Sequence, residues 1–345
     1  MGDESRGLLG IGVVGCGGIA WSHLRAMARE PRARLAAVAD VDAARAERVA
    51  REFGAPAQYD SWDALLEDAA VEAVILGLPH HLHEPAAVAA LAAGRHVLVE
   101  KPIANTVAEA DRMIAASERA GCVLMVGHVK RFNRSVVAMK RAVERGDVGE
   151  PFSFETDYYG PREIMPSIPW VMKKATGGGG PLVGFGTHHV DVLRWLFGGV
   201  GEVACFASRA VVEAAEVEDT AALALRFAGG VTGVIHFTWA RSVESYLEQF
   251  RVFGSLGEIV VRDCETISMA SEPRFGDRQF HELDLDEEAG DLAEAQFVAQ
   301  LAHFVDCVQS GATPLTDGPG ARAAIAVIEA AYRSAETGRT VTVEP

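Results

Sequence analysis

The run Gly15-Cys16-Gly17-Gly18-Ile19-Ala20, set directly after the apolar segment Leu8 to Val14, constrains this chain more than any other feature. The apolar segment fits a strand buried on both faces, and a helical pattern follows from about Ile19 to Arg29. Gly15 permits the tight turn out of the strand, Gly17 lets a ligand approach main-chain N–H groups, and the small Ala20 lets the helix pack close to the sheet. The unsatisfied N–H groups at such a helix start, here at Gly18 and Ile19, favour an anion such as a diphosphate. Alone, a glycine-rich turn is a weak signal. Its weight comes from opening a long series of alternating strands and helices.

That series continues with a strand from Arg34 to Ala39 and a helix from Asp42 to Phe53, closed by Gly54. Strands follow at Val71 to Leu78, His96 to Val99 and Val123 to Val126. Helices lie between them, one stopped by Gly94 and one opened by Thr106 with Glu109 as a capping box. Continuously apolar strands separated by amphipathic helices mean a parallel sheet covered on both faces. The first domain therefore reads as an α/β Rossmann fold, a doubly wound parallel sheet spanning residues 1–127. Asp40 ends the second strand twenty residues beyond Ala20, where a carboxylate accepts hydrogen bonds from the adenosine ribose. A carboxylate there repels a 2′-phosphate, and Val41 beside it offers no cation, so NAD is expected over NADP.

The pattern then changes. A helix from Ser135 to Arg145 precedes strand signals at Phe152 to Tyr159, Val203 to Val211, Ala221 to Phe227, Val231 to Trp239, Gln249 to Phe253 and Glu258 to Val261. The gap Ala228-Gly229-Gly230 is a hairpin signal. Helices at about Leu292 to Gln309 and Gly320 to Glu336 close the chain. Residues 128–345 are thus expected to form an α+β domain with a large, mostly antiparallel sheet. Such a sheet offers a face for a homodimer or homotetramer. At 345 residues, two domains are the expected organisation.

Charge and cysteines narrow the function classes. With 32 Lys and Arg against 48 Asp and Glu, the net charge of −16 repels phosphate backbones and anionic lipid. Neither nucleic acid nor membrane is expected as a partner, and no apolar run reaches the ~18 residues of a membrane span. The five scattered cysteines have no metal-ligand or disulfide spacing, and the start MGDESRGLLG does not read as a signal peptide. A cytoplasmic location is expected. His80, His81 and His83, and the neighbours His188 and His189, lack a carboxylate or Cys at ligand spacing, so no metal is expected.

Further segments follow in order: Pro79 with His83, Glu100-Lys101-Pro102, Gly127-His128 with Arg131-Phe132, Gly177 to Gly180, and Gly186-Thr187-His188-His189-Val190-Asp191. Together with Gly15 to Ala20 and His23, this chain resembles the Gfo/Idh/MocA oxidoreductases, which include glucose–fructose oxidoreductase and inositol dehydrogenase. The resemblance implies hydride transfer between NAD and a secondary alcohol or ketone carbon of a sugar, cyclitol or related polyol. It makes Lys101 and His188 the catalytic residues. It makes Arg131, Trp170, Lys173 and Asp191 substrate contacts, and it adds Pro79, His83, Glu100 and Lys101 to the cofactor set of Gly15, Gly17, Gly18, Ile19, Ala20 and Asp40.

The chemistry fits these residue types. Lys101 follows a strand at the carboxyl edge of the sheet, where an ammonium stabilises a developing alkoxide. An imidazole such as His188 titrates near the working pH. Asp191 at i+3 on its helix can orient the ring or hold substrate, while His189 turns to another face. The glycines 177–180 read as a flexible approach to that helix.

One position departs from the family. Inositol-dehydrogenase-like members carry an Asp four residues before the His, and here that position is Gly184. The proton path then falls to Lys101, to Asp191, or to a tyrosine such as Tyr158 or Tyr159. Two other readings stay open at this stage. One is an NAD-retaining glycosidase, lyase or epimerase acting through transient oxidation. The other is a non-catalytic protein that senses NAD or sugar.

Overall fold

The computed structural model describes residues 7–285 and 292–344, so the acidic start at 1–6 lies outside it. Contacts divide the chain into two units. The first comprises residues 1–104, 108–129 and 293–319, and the second comprises 105–107, 130–292 and 320–345.

In the first unit, β1 (Leu9–Val14), β2 (Ala33–Ala39), β3 (Gln58–Tyr59), β4 (Ala73–Leu76), β5 (His96–Val99) and β6 (Leu124–Val126) form one sheet. Its order is β3-β2-β1-β4-β5-β6 and every pairing is parallel. Every residue of β1 and β4 is buried, as strands covered on both faces require. The helices are α1 (Gly18–Met27), α2 (Ala43–Phe53), α3 (Trp62–Leu66), α4 (His83–Ala92) and α5 (Val107–Ala120). Asp42 caps α2 by accepting from the N–H groups of Ala44 and Arg45, and Gly54 ends it in the left-handed region at φ 69°. The two-residue β3 is too short to have announced itself in the sequence, and the expected strand from Val71 shortens to Ala73–Leu76.

The second unit has β7 (Pro151–Pro161), β8 (Val200–Ser208), β9 (Thr220–Phe227), β10 (Thr232–Arg241), β11 (Leu247–Gly254), β12 (Gly257–Arg262), β13 (Thr266–Ser271), β14 (Phe280–Glu282) and β15 (Val341–Thr342). They form a nine-stranded sheet in the order β14-β13-β12-β11-β7-β10-β9-β8-β15. All pairings are antiparallel except that of β7 with β10. The chain adds α6 (Arg134–Glu144), α7 (Lys174–Gly177), α8 (Thr187–Phe197) and α9 (Glu272–Phe275). Last come α10 (Leu292–Ser310), most of which packs into the first unit, and α11 (Gly318–Thr337).

Burial in β9 alternates residue by residue, so one face of the sheet meets helices and the other meets solvent. On the covered face, Val190 and Leu193 of α8 and Ala324, Val327 and Ile328 of α11 share a core with Phe154, Leu223, Leu225, Ile235 and Phe237. A second core joins Val136 and Met139 of α6 to Phe250, Ile259, Val261 and Ile267. Each fully buried Leu, Ile or Phe contributes roughly 1.5–3 kcal/mol of transfer free energy.

Candidate functional site

The strands of the first unit end in a row of close approaches. Gly15 has φ 87°, and a Cβ there would lie 2.4 Å from the Gly77 carbonyl oxygen at the end of β4, so no side chain fits. A Cβ at Gly127, beyond β6, would lie 3.0 Å from Oε1 of Glu100. Gly17 and Gly18 are different: a Cβ at either meets nothing within 4 Å, so the outer side of the turn is open. Gly17 supplies no side-chain cap to α1, and the first turn of α1 holds no acidic residue. The N–H groups there keep their capacity for an anion, and the loop fits a dinucleotide diphosphate.

Asp40 braces this turn from below. Its Oδ2 accepts from the Cys16 N–H at 2.8 Å and its Oδ1 from the Asp42 N–H at 2.9 Å. Burial, helped by the Asp40 charge, pushes the Cys16 thiol up to about 12, so it stays protonated. The sequence reading missed a cation here: Nη1 of Arg45, in the first turn of α2, lies 3.5 Å from Asp40, and its Nη2 lies 3.4 Å from Asp42. The adjacent Val41 offers no cation, whereas Arg45 returns to Asp40 through the helix.

Glu100 and His83 act inward. Oε1 of Glu100 lies 2.7 Å from Nε2 of His23 on α1, and Oε2 accepts from the Lys101 N–H at 3.1 Å. Burial alone would raise the Glu100 carboxyl, but His23 and Lys101 outweigh it and hold it below its ordinary range. The His83 ring is wholly buried, its nitrogens 2.7 Å from the Pro102 carbonyl oxygen and 2.9 Å from that of Leu78. His83 was expected to touch the cofactor. Its nitrogens instead brace the two segments that carry Pro79 and Lys101.

In the second unit, α8 spans the expected Thr187–Phe197. His188 and Asp191 are both buried on it. Arg131 and Asp191, two expected substrate contacts, neutralise each other: Nε and Nη2 of Arg131 each lie 2.7 Å from a carboxylate oxygen of Asp191. His189 does turn away. Its Nδ1 lies 2.6 Å from Thr156 Oγ1, its Nε2 lies 2.8 Å from Oε1 of Glu248, and its ring stacks on Phe250. Lys130 closes this buried group from the other side, 2.6 Å from Oε2 of Glu248. Lys173 is exposed and Trp170 half-buried, its carbonyl accepting from Thr176. Neither tyrosine suits a proton path. Tyr158 is stacked on Phe185 at 3.6 Å with its phenol pushed far up by burial, and Tyr159 lies on the opposite face of the sheet beside His236.

The four glycines before α8 are packed, not flexible. A Cβ at Gly177 would lie 2.6 Å from the Val171 carbonyl, and one at Gly178 would lie 2.2 Å from the Asn105 side chain. At Gly179 it would meet the Tyr332 hydroxyl, and at Gly180 the carbonyl oxygen of Glu218. Oε1 of Glu218 also accepts from the N–H groups of Gly180 and Leu182 and from Tyr332. This half-buried acid, which no motif marked, holds the entry to the His188 helix. Among the described residues no three His, Cys, Asp or Glu side chains gather as a metal site.

The comparisons agree along the whole chain. Residues 9–128 match the model of the oxidoreductase family with an NAD-binding Rossmann fold, and residues 136–260 match the GFO/IDH/MocA C-terminal domain. The chain is 30% identical over 340 residues to a myo-inositol 2-dehydrogenase of Thermotoga maritima, covering 97% of this chain and 98% of the relative. It is 28% identical to a D-apiose dehydrogenase of Paraburkholderia graminis, over 96% of this chain and 89% of that one. The solved structure of GenD2 from gentamicin A biosynthesis, in complex with NAD, superposes with a TM-score of 0.86 at 28% identity, covering 100% of this chain and 99% of that one. A glycine turn open to a diphosphate, a carboxylate at the end of β2, the Glu100-Lys101-Pro102 corner and the His188 helix thus occur in a chain that belongs to the Gfo/Idh/MocA family of NAD-binding oxidoreductases.

Proposed function

We propose that this protein is a dehydrogenase, or reductase, acting on a secondary alcohol or ketone carbon of a sugar, cyclitol or related polyol. The full-length similarity to dehydrogenases named for inositol and apiose carries this reading. The NAD-binding duty falls to the first unit, and substrate recognition and self-association to the second. When bound, the nicotinamide accepts or returns the hydride. His188 takes the hydroxyl proton as base, and the Lys101 ammonium stabilises the alkoxide. Trp170 and Lys173 contribute to the substrate side. Arg131 and Asp191 contribute as an ion pair that shapes it.

The open face of the second sheet supports self-association as a homodimer or homotetramer. Phe206 is 79% exposed and Val234 52%, with exposed Ala222 and Ala224 between them on the paired strands. The five cysteines are free, which suits a reducing compartment such as the cytoplasm.

The test is a panel of cyclitols, aldoses and polyols with NAD and NADP, followed by His188→Ala and Lys101→Met on the best substrate. Each variant should lose about 10²–10⁴-fold in kcat while NAD affinity holds. Equal loss of both would make these residues structural. Deuterium that leaves and returns to the substrate without net NADH would replace the dehydrogenase with a transient-oxidation enzyme.

A further inference from the structure

Gly184 sits inside a wide five-residue helical turn, Leu182–Gly186, that leads straight into α8. Such turns recur at functional sites, and residues four apart on a helix share a face. A side chain at 184 would therefore stand beside that of His188. In this chain the space is filled from another element. A Cβ at Gly184 would lie 2.8 Å from Cζ2, 3.5 Å from Cη2 and 3.9 Å from Cε2 of Trp239, on β10.

The indole is held there firmly. It is 2% exposed, packs with Met172, Ala215 and Val217, and meets Phe185 edge-on with centroids 6.1 Å apart. The main-chain N–H of Trp239 donates to the Asp219 carbonyl at 2.8 Å. The Asp219 carboxylate in turn accepts from the N–H groups of Ala210, Val211 and Val212, tying down the loop that supplies Ala215. A Cβ at Gly160 would lie 3.6 Å from Cδ1 of the same ring. The edge carrying Nε1 thus runs from Gly160 to Gly184, and Nε1 has no acceptor among the described residues.

We propose that Gly184 and Trp239 are a matched positioning pair, in which an indole edge fills the space that a side chain beside His188 would take. The inference rests on the dehydrogenase reading. A carboxylate at 184 would accept a hydrogen bond and place a negative charge near the imidazole, whereas an indole N–H donates and carries no charge. His188 works without an anionic neighbour at that position. Neither residue can be exchanged alone, because the smaller one exists to admit the larger.

Three proteins test this: wild type, Gly184→Asp, and the double variant Gly184→Asp with Trp239→Ala. Gly184→Asp alone should lower the melting temperature by at least about 5 °C through overpacking. The double variant should recover at least about half of that loss. In it, the His188 imidazole followed by NMR should titrate about one pH unit above its wild-type position, since an adjacent carboxylate favours the charged ring. The proposal is overturned by a Gly184→Asp protein that melts like wild type, or by an unmoved His188 titration in the double variant. Melting and titration need no turnover. A chain that oxidises no polyol therefore sinks the dehydrogenase reading and leaves these two readouts to judge the pair.

Discussion

Nε2 of His23 lies 2.7 Å from Oε1 of Glu100, with both side chains almost wholly buried, so the helix that starts at the glycine turn is tied to the strand end that carries Lys101. Removing one member of such a pair leaves an uncompensated polar group in a dry setting. His23→Leu should cost about 3–5 kcal/mol of stability by chemical denaturation. The Glu100 carboxyl is lowered in the folded state, so its contribution is present above the ordinary glutamate value of 4.5 and lost as pH falls through the lowered one. The gap between wild type and His23→Leu should therefore narrow in acid. A gap that stays constant from neutral pH down would assign the cost to packing alone.

The glycines separate by what surrounds them. Gly17→Ala meets open space, so its melting temperature should stay within about 2 °C of wild type. NADH fluorescence titration should nonetheless show at least about ten-fold weaker binding, because the added methyl occupies the ligand's approach. Gly180→Ala should do the reverse. Its Cβ would run into the backbone carbonyl of Glu218, with a cost of about 3 kcal/mol and no direct effect on the nucleotide turn.

Burial raises the Glu218 carboxyl, against its hydrogen bonds from Gly180, Leu182 and Tyr332. A raised acid favours the fold fully below its ordinary value of 4.5, and that contribution is lost as pH climbs through the raised value. Glu218→Gln keeps an oxygen acceptor and cannot ionise. The variant should match wild type in acid and melt higher at pH 8. Parallel melting curves at both pH values would show that Glu218 ionises freely in place.

Arg45 bears on cofactor choice. It lies within 4 Å of two carboxylates, Asp40 and Asp42, and is about half exposed. With the adenosine ribose placed at Asp40 as proposed, Arg45 would soften the repulsion of that carboxylate toward a 2′-phosphate. Arg45→Ala should lower NADP affinity about three- to ten-fold with little change for NAD. Asp40→Ala should shift preference in the opposite direction. Equal changes for the two dinucleotides would remove Arg45 from the ribose end.

The sequence made legible what local pattern controls. Gly15 to Ala20 and Asp40 are neighbours through a single β-α-β unit, and the His188 helix ends where expected because Gly198 follows its amphipathic run at φ 86°. Features set by distant partners stayed hidden. Glycines 177–180 looked mobile because their crowding comes from Val171, Asn105, Glu218 and Tyr332. β13 was missed although Ile267 and Met269 alternate inward, because the turn before it uses Asp263 and Cys264 at φ 52° and 57° where glycine or asparagine would be the usual signal. Arg45 and Trp239 carried no motif, since each matters only through the residue it faces.

The segment that completes the first unit has a consequence for synthesis. The exposed side of β6 is closed by residues near the far end of the chain: the Val126 N–H donates to the Thr316 carbonyl at 2.8 Å, and Thr316 Oγ1 returns a bond to the Val126 carbonyl at 2.7 Å. Phe297 of α10 meets the His23 ring at 5.3 Å, and Glu294 reaches Arg29 at 2.7 Å. During translation the nucleotide-binding half therefore waits, with one sheet edge uncovered, until almost the entire nascent polypeptide has left the ribosome. A chain cut short before Ala293 would leave that sheet edge without its cover.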